Sequence, residues 1–258
     1  MGVKGIVNRL LKYTGVLVLI LALTAQPTAY ANVNAQSSKK YEEKFNMSYI
    51  YFGQSDLYNS QVAKTKNSLN EISPNYFNIS KDGDMELTPA VDAEFIDEMH
   101  SEGIKVVPFL SNHWDSEAGR NALENGTSLA EELADAVKEY NLDGINVDIE
   151  GLNENDRDSY TEFVKILRSK LPEGISLSVA VAANPRDFTI GWQGSYDYES
   201  LAKYADYLMI MAYDEHYGGA KPGPVASSSF VEDSIKYALE RVPKEKIVLG
   251  IPFYGRYW

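Results

Sequence analysis

From Asn46 onward, short apolar runs alternate with amphipathic stretches. Seven runs are rich in Val, Ile, Tyr and Phe, the residues that strands favour. They cover residues 48–52, 76–79, 106–110, 144–149, 176–181, 207–212 and 247–251. The stretches between them carry apolar residues at helical spacing. Residues 89–102 place Val91, Phe95, Ile96 and Met99 on one face, and 128–140 place Leu129, Leu133, Ala136 and Val137. Residues 158–171 do the same with Phe163, Val164, Ile166 and Leu167, and 230–241 with Ile235, Ala238 and Leu239. Residues 55–72 predict a weaker first helix.

Repeated strand–helix units imply a parallel sheet covered by helices. An open doubly wound sheet and a closed (β/α)8 barrel both satisfy the pattern. No G-x-G-x-x-G or Walker motif follows any run, which weakens the nucleotide-binding option. A chain of 258 residues suits one barrel. The expected fold is therefore an α/β (β/α)8 TIM barrel over 46–258, apparently lacking the eighth β/α unit. A barrel needs an eighth strand to close and to hide its edges. The chain stops at Trp258, directly after the seventh run. The expectation is thus a C-terminally truncated barrel whose first and seventh strands lie unpaired, with low stability or dimerisation unless another element fills the gap.

The first 45 residues follow a different pattern. Lys4, Arg9 and Lys12 precede an almost wholly apolar run over 16–25, and Ala29-Tyr30-Ala31 offers an A-x-A cleavage site. This order reads as a secretory signal peptide over 1–31, the run being short of a membrane span of roughly 20 residues, with an uncleaved anchor as the alternative. The protein is therefore expected to be secreted or held in the cell envelope. Residues 32–45 read as a polar, flexible lead-in. Loss of 1–31 leaves 21 bases against 37 acids, a net charge of −16. Such a surface repels nucleic acid and anionic lipid but does not obstruct a neutral polysaccharide. The chain has no cysteine, which excludes a thiol nucleophile and a Cys-based zinc site. Its three histidines, His100, His113 and His216, have no metal-ligand spacing.

The segment Asp143-Gly144-Ile145-Asn146-Val147-Asp148-Ile149-Glu150 carries the chemistry. Side chains alternate faces along a strand, so Asn146, Asp148 and Glu150 share one face and Ile145, Val147 and Ile149 the other. The apolar set is expected against the helices, and the polar set inside the barrel near its C-terminal mouth, where barrel enzymes place their chemistry. Two acids on one inner face repel each other, so one should hold a proton at raised pKa, as a general acid requires. Glu150 is best placed for that task, with Asp148 one layer deeper and able to hydrogen-bond its neighbour. Burying such groups unpaired costs roughly 2–7 kcal/mol each, which argues against an idle acidic strand end.

This segment resembles the D-x-x-D-x-D-x-E signature of glycoside hydrolase family 18, the chitinases and related N-acetylglucosaminidases. Residues 209–214, Met-Ile-Met-Ala-Tyr-Asp, resemble that family's sixth strand, and 250–256 its seventh. The branch most resembled includes bacterial spore-cortex and cell-wall N-acetylglucosaminidases. The resemblance implies retaining, substrate-assisted hydrolysis of β-1,4 bonds in chitin or peptidoglycan, without metal or organic cofactor. It implies that Glu150 is the acid and base, that Asp148 orients the substrate's acetamido group, and that Tyr213 donates to the acetamido oxygen. Asp214 and Met211 would line the sugar site. Asn146 stands where the family carries its second Asp, and it hydrogen-bonds without sharing a proton. Asp143 reads as structural, and Gly144 allows close backbone approach. Flat apolar surfaces for sugar stacking are offered by Tyr51, Trp114, Trp192, Tyr217, Tyr254 and Trp258, with Arg256 as a further substrate contact. A polysaccharide is the expected partner. The alternatives are a non-catalytic sugar-binding protein on the same fold, or an inactive truncated hydrolase.

Overall fold

The computed structural model describes residues 44–51 and 55–258. The signal peptide expected over 1–31, most of the lead-in over 32–45, and Phe52 lie outside the described residues. In chain order the elements are β1 (Met47–Ile50), α1 (Tyr58–Ala63), β2 (Glu71–Ile79), β3 (Met85–Leu87), α2 (Ala93–Ser101), β4 (Lys105–Val106), β5 (Phe109–Ser111), α3 (Ser116–Glu124) and α4 (Gly126–Glu139). They continue with β6 (Gly144–Asp148), α5 (Arg157–Lys170), β7 (Ser176–Ala182), α6 (Gly191–Gly194), α7 (Tyr198–Tyr204), β8 (Tyr207–Met211), α8 (Ser228–Leu239) and β9 (Ile247–Leu249).

The sheet runs β1-β2-β5-β6-β7-β8-β9 with parallel ladders along this path, while β4 pairs parallel and β3 antiparallel with β2. Among the described residues no ladder joins β1 to β9, so the (β/α)8 architecture is present as an open arc. The arc is strongly curled all the same. The Tyr207 hydroxyl of β8 donates to Glu71 Oε1 of β2 at 2.5 Å and lies 3.3 Å from Met47 Sδ of β1. Strands far apart in the order therefore touch through their inward side chains.

Burial separates the two faces as the alternation in β6 requires. Ile145, Val147 and Ile149 are fully buried in the large outer core, with Phe163, Val164 and Leu167 of α5. A second, smaller cluster fills the interior: Ala180, Tyr207, Met209 and Met211. Gly144 opens β6 because a Cβ there would meet the Ser176 carbonyl at 2.5 Å, so only glycine lets β7 come this close. Asp143, just before it, accepts from the Val106 N–H and the His100 ring, both at 2.8 Å, which is the structural role expected of it.

The structure extends and divides some of the expected elements. β2 starts at Glu71, five residues before the apolar run suggested, because Glu71 and Ser73 are buried polar residues of the interior and interrupt the pattern. The expected strand over 106–110 is broken into β4 and β5 at Val107 and Pro108, where proline has no N–H to give a ladder. The helix expected over 55–72 shrinks to α1 after a 3-10 turn. The hairpin strand β3, and helices α3, α6 and α7, had no strong signal. α3 buries only Ala118, Gly119 and Ala122, residues too small to stand out in a polar stretch.

Glu71 gives a test of the interior. Its carboxyl is pushed up from the ordinary 4.5 to about 7, chiefly by burial, with Asp143 and Asp206 adding to the shift and the Tyr207 hydroxyl and Lys105 opposing it. A raised carboxyl pKa lends stability that is complete below the unfolded value and is lost as pH rises through the folded one. Glu71→Gln should therefore melt higher than the parent above pH 7, by at most about 3 kcal/mol, with the gap closing toward pH 4.5. Denaturant melts across this range check it, and a pH-independent difference would contradict it.

Candidate active site

β6 brings its polar residues to the interior. Asn146, fully buried, accepts from the Tyr49 hydroxyl of β1 at 2.9 Å and donates to Ser178 Oγ of β7 at 2.7 Å. The amide thus spans the arc below the acids. Asp148 follows one layer up, in register with Ser111 of β5. Its Oδ1 is enclosed without a hydrogen-bond partner. The hydrogen bond expected between Asp148 and its neighbour is therefore not made at this oxygen, and the two acids communicate through their charge.

Both carboxyls are held well above the ordinary range. Burial is the first cause for each, and for Glu150 the charges of Asp148 and then Asp214 add to it. Two such groups in one low-dielectric space do not ionise together, so the pair retains a proton near neutral pH. Tyr213 lies in the same field. Its hydroxyl pKa is raised by burial and by the charges of Asp148 and Glu150. Tyr49 is raised likewise, by burial and then by Asp148. Asp148, Glu150 and Tyr213 thus share one electrostatic field, with Asn146 buried two residues before Asp148 on the same strand.

The remaining expected residues are more dispersed. Met211 belongs to the interior cluster beneath the acids, and Tyr213 packs on it. Tyr254 meets Tyr213 edge-on, with ring centroids 6.3 Å apart. Arg256 reaches Asp214 Oδ1 through Nη2 at 2.8 Å and Nε at 3.2 Å, so its guanidinium is engaged by an acid at the mouth. Tyr51 is exposed, near Phe109 and His113. Trp114 is 55% exposed and leans on Trp192 at 4.7 Å between centroids. Tyr217 and Trp258 are exposed as well. Among the described residues no cluster of three or more His, Cys, Asp or Glu side chains could hold a metal.

Several residues that shape the site escaped sequence reasoning. Asn112 bonds both backbone groups of Glu150, its Oδ1 accepting the N–H and its Nδ2 donating to the C=O, each at 2.8 Å. The Tyr196 hydroxyl donates to the Ile149 carbonyl at 3.0 Å, and Trp192 Nε1 donates to that hydroxyl at 3.0 Å. Ser116 Oγ donates to the Gly151 carbonyl at 2.6 Å. These partners sit up to 47 residues away along the chain, so no local pattern marks them.

The family model for glycosyl hydrolases family 18 matches residues 28–258. The uncharacterized glycosylase YvbX of Bacillus subtilis (strain 168) is 28% identical over 217 residues, covering 80% of this chain and 62% of that protein. The cortical fragment-lytic enzyme of the same organism is 29% identical over 189 residues, covering 70% of this chain and 44% of the enzyme. A chitinase from Chromobacterium violaceum ATCC 12472 has a similar fold, with a TM-score of 0.72 at 28% identity, covering 81% of this chain and 68% of that one. The chain spans between 31% and 62% of the length of the first curated relatives it matches.

The electrostatic pairing makes a directional prediction. Asp148→Asn removes the nearest negative charge from Glu150 and leaves its burial in place. The titration midpoint of Glu150, followed by carboxyl 13C NMR, should fall but stay above the ordinary 4.5. An unmoved midpoint would mean that burial and Asp214 set it without Asp148.

Proposed function

This chain belongs to glycosyl hydrolases family 18, and on that premise we propose that it cleaves β-1,4 bonds at N-acetylglucosamine residues of a cell-wall or chitin polysaccharide, with retention and with the substrate's own acetamido group as nucleophile. The observation that carries the reading is the half-buried pair Asp148 and Glu150, with Asp148 Oδ1 enclosed, held above the ordinary carboxyl range beside Tyr213. An acid that keeps its proton near neutrality is what protonation of a glycosidic oxygen demands.

In the proposed sequence, Glu150 gives its proton to the glycosidic oxygen as the bond to the anomeric carbon breaks. The acetamido oxygen attacks that carbon from the opposite side and closes an oxazolinium ring. Asp148 accepts the acetamido N–H with its unpartnered Oδ1 and offsets the positive charge that develops there. Tyr213 donates to the acetamido oxygen and orients it for attack. Glu150, now a carboxylate, removes a proton from water. The water's oxygen attacks the anomeric carbon, the ring opens, and configuration is retained. Met211 would form the floor of the sugar site, and Asp214, Tyr51, Trp114, Tyr254 and Arg256 would contact substrate at the mouth, whereas Asn146, read from sequence as a substrate contact, is fully buried and engaged by Tyr49 and Ser178 below the acids.

Peptidoglycan glycan strands are the favoured substrate over chitin. Support comes from the likeness to a cortical fragment-lytic enzyme and from Asn146 in place of an acid, the departure that resembles the cell-wall branch. Site of action follows the leader read over 1–31, which would export the chain to the envelope or beyond. A non-catalytic sugar-binding role is the competing reading, and it is answered by product release.

Incubation with chitooligosaccharide and with peptidoglycan glycan strands, followed by mass spectrometry, should show hydrolysis products, with the β-anomer appearing first by 1H NMR. Glu150→Gln should lower kcat by about 10²–10⁴-fold while ligand is still bound. Binding without released reducing ends from the parent protein would overturn the hydrolase reading.

A further inference from the structure

Glu150 lies beyond the last ladder pair of its own strand. β6 ends at Asp148, which is in register with Ser111, the last residue of β5. The following residues of the two chains do not continue that ladder. His113 and Trp114 both take left-handed backbone conformations, with φ of 48° and 65°, and turn the chain away toward α3. The backbone of Glu150 would then face a strand end with nothing to pair with.

Asn112 fills that gap with its side chain. A primary amide offers an acceptor and a donor in one plane, as a peptide group does. Asn112 Oδ1 takes the Glu150 N–H and Nδ2 gives to the Glu150 C=O, each at 2.8 Å, in the place of a further strand residue. The second hydrogen of Nδ2 goes to the Asp115 carbonyl, also at 2.8 Å, which closes the turn carrying Trp114. The amide is 2% exposed. It is also confined: a Cβ added to Gly119 of α3 would stand 2.9 Å from Nδ2. Glycine at that helix position keeps a side chain out of the space the amide occupies.

We propose that Asn112 is a positioning residue for Glu150: its side-chain amide acts as a surrogate strand partner that holds the acid's peptide at the barrel mouth and ties it to the turn bearing Trp114. The inference rests on the hydrolase reading for its kinetic consequence and on geometry alone for its structural one. No other residue type meets the demand. Asp accepts but, when ionised, does not donate. Ser is too short to serve two backbone groups and a third carbonyl. Gln carries one methylene more, which moves its amide off the three partners that Asn112 reaches at 2.8 Å.

Two variants separate positioning from general stability. Asn112→Ala removes all three hydrogen bonds. Asn112→Asp keeps the shape and the acceptor, and regains one donor only when protonated. With chitooligosaccharide as substrate, kcat should fall on the order of 10- to 100-fold in both at neutral pH, with KM changing much less. The alkaline limb of the kcat profile should move to lower pH in Asn112→Ala, because a loosened Glu150 gains water and loses its raised pKa. The Asp variant should recover relative to the Ala variant as pH falls, a pattern that mere loss of folded protein does not produce. Parent-like kcat and pH profile in either folded variant would overturn the proposal. If the parent releases no product from either chitooligosaccharide or peptidoglycan glycan strands, the hydrolase reading fails. The positioning role is then decided by 13C titration of the Glu150 carboxyl, whose midpoint must drop in Asn112→Ala if the role is real and stays put if it is not.

Discussion

Two carboxyl groups enclosed together at the end of one strand set the terms for what surrounds them. Enclosure raises both above the range of a solvated acid, and mutual repulsion leaves one proton between them near neutrality. In water the same residues would both ionise. The fold therefore has to limit water at Asp148 and Glu150 and still leave them at an open mouth. A curled parallel sheet with helices outside meets both demands, since its interior is walled by strands and its C-terminal rim is made of loops.

The interior is divided by height. At the bottom, Glu71 and Tyr207 pair across the arc. In the middle, Tyr49, Asn146 and Ser178 form a neutral chain of hydrogen bonds from β1 to β7. Above them stand the acids, beside Tyr213. Neutral amides and hydroxyls below the acids satisfy one another without adding a competing charge, so the field at Glu150 comes from Asp148 and Asp214. An acid at position 146 would add a third carboxyl to this column. Asn146 supplies the same reach with a fixed, neutral pattern of donors and acceptor.

Holding charges in a defined field is useful only if the backbone that carries them is fixed. Past Asp148 the ladder stops, and side chains take over. Asn112 binds both backbone groups of Glu150, Tyr196 binds the Ile149 carbonyl and Ser116 the Gly151 carbonyl. Tyr196 is in turn tied to Trp192, against which Trp114 leans. The exposed tryptophan at the rim and the half-buried Glu150 thus share one supporting network, drawn from three separate stretches of the chain.

The alternation of β6 alone settled which residues of that strand face inward, because a strand's period of two is a property of the backbone and needs no tertiary information. The helical spacing around Phe95, Leu133 and Phe163 likewise located the outer layer, and all three are buried there. Local pattern failed where burial is polar or small, as in the start of β2 at Glu71 and in α3 with its alanines and glycine. It also had no way to foresee that Arg256 would engage Asp214, or that Asn112 would meet Glu150 from 38 residues away. Those contacts depend on strand register and on where each loop turns. Spacing along a chain fixes the direction in which a side chain points, and only the packed sheet decides what it meets there.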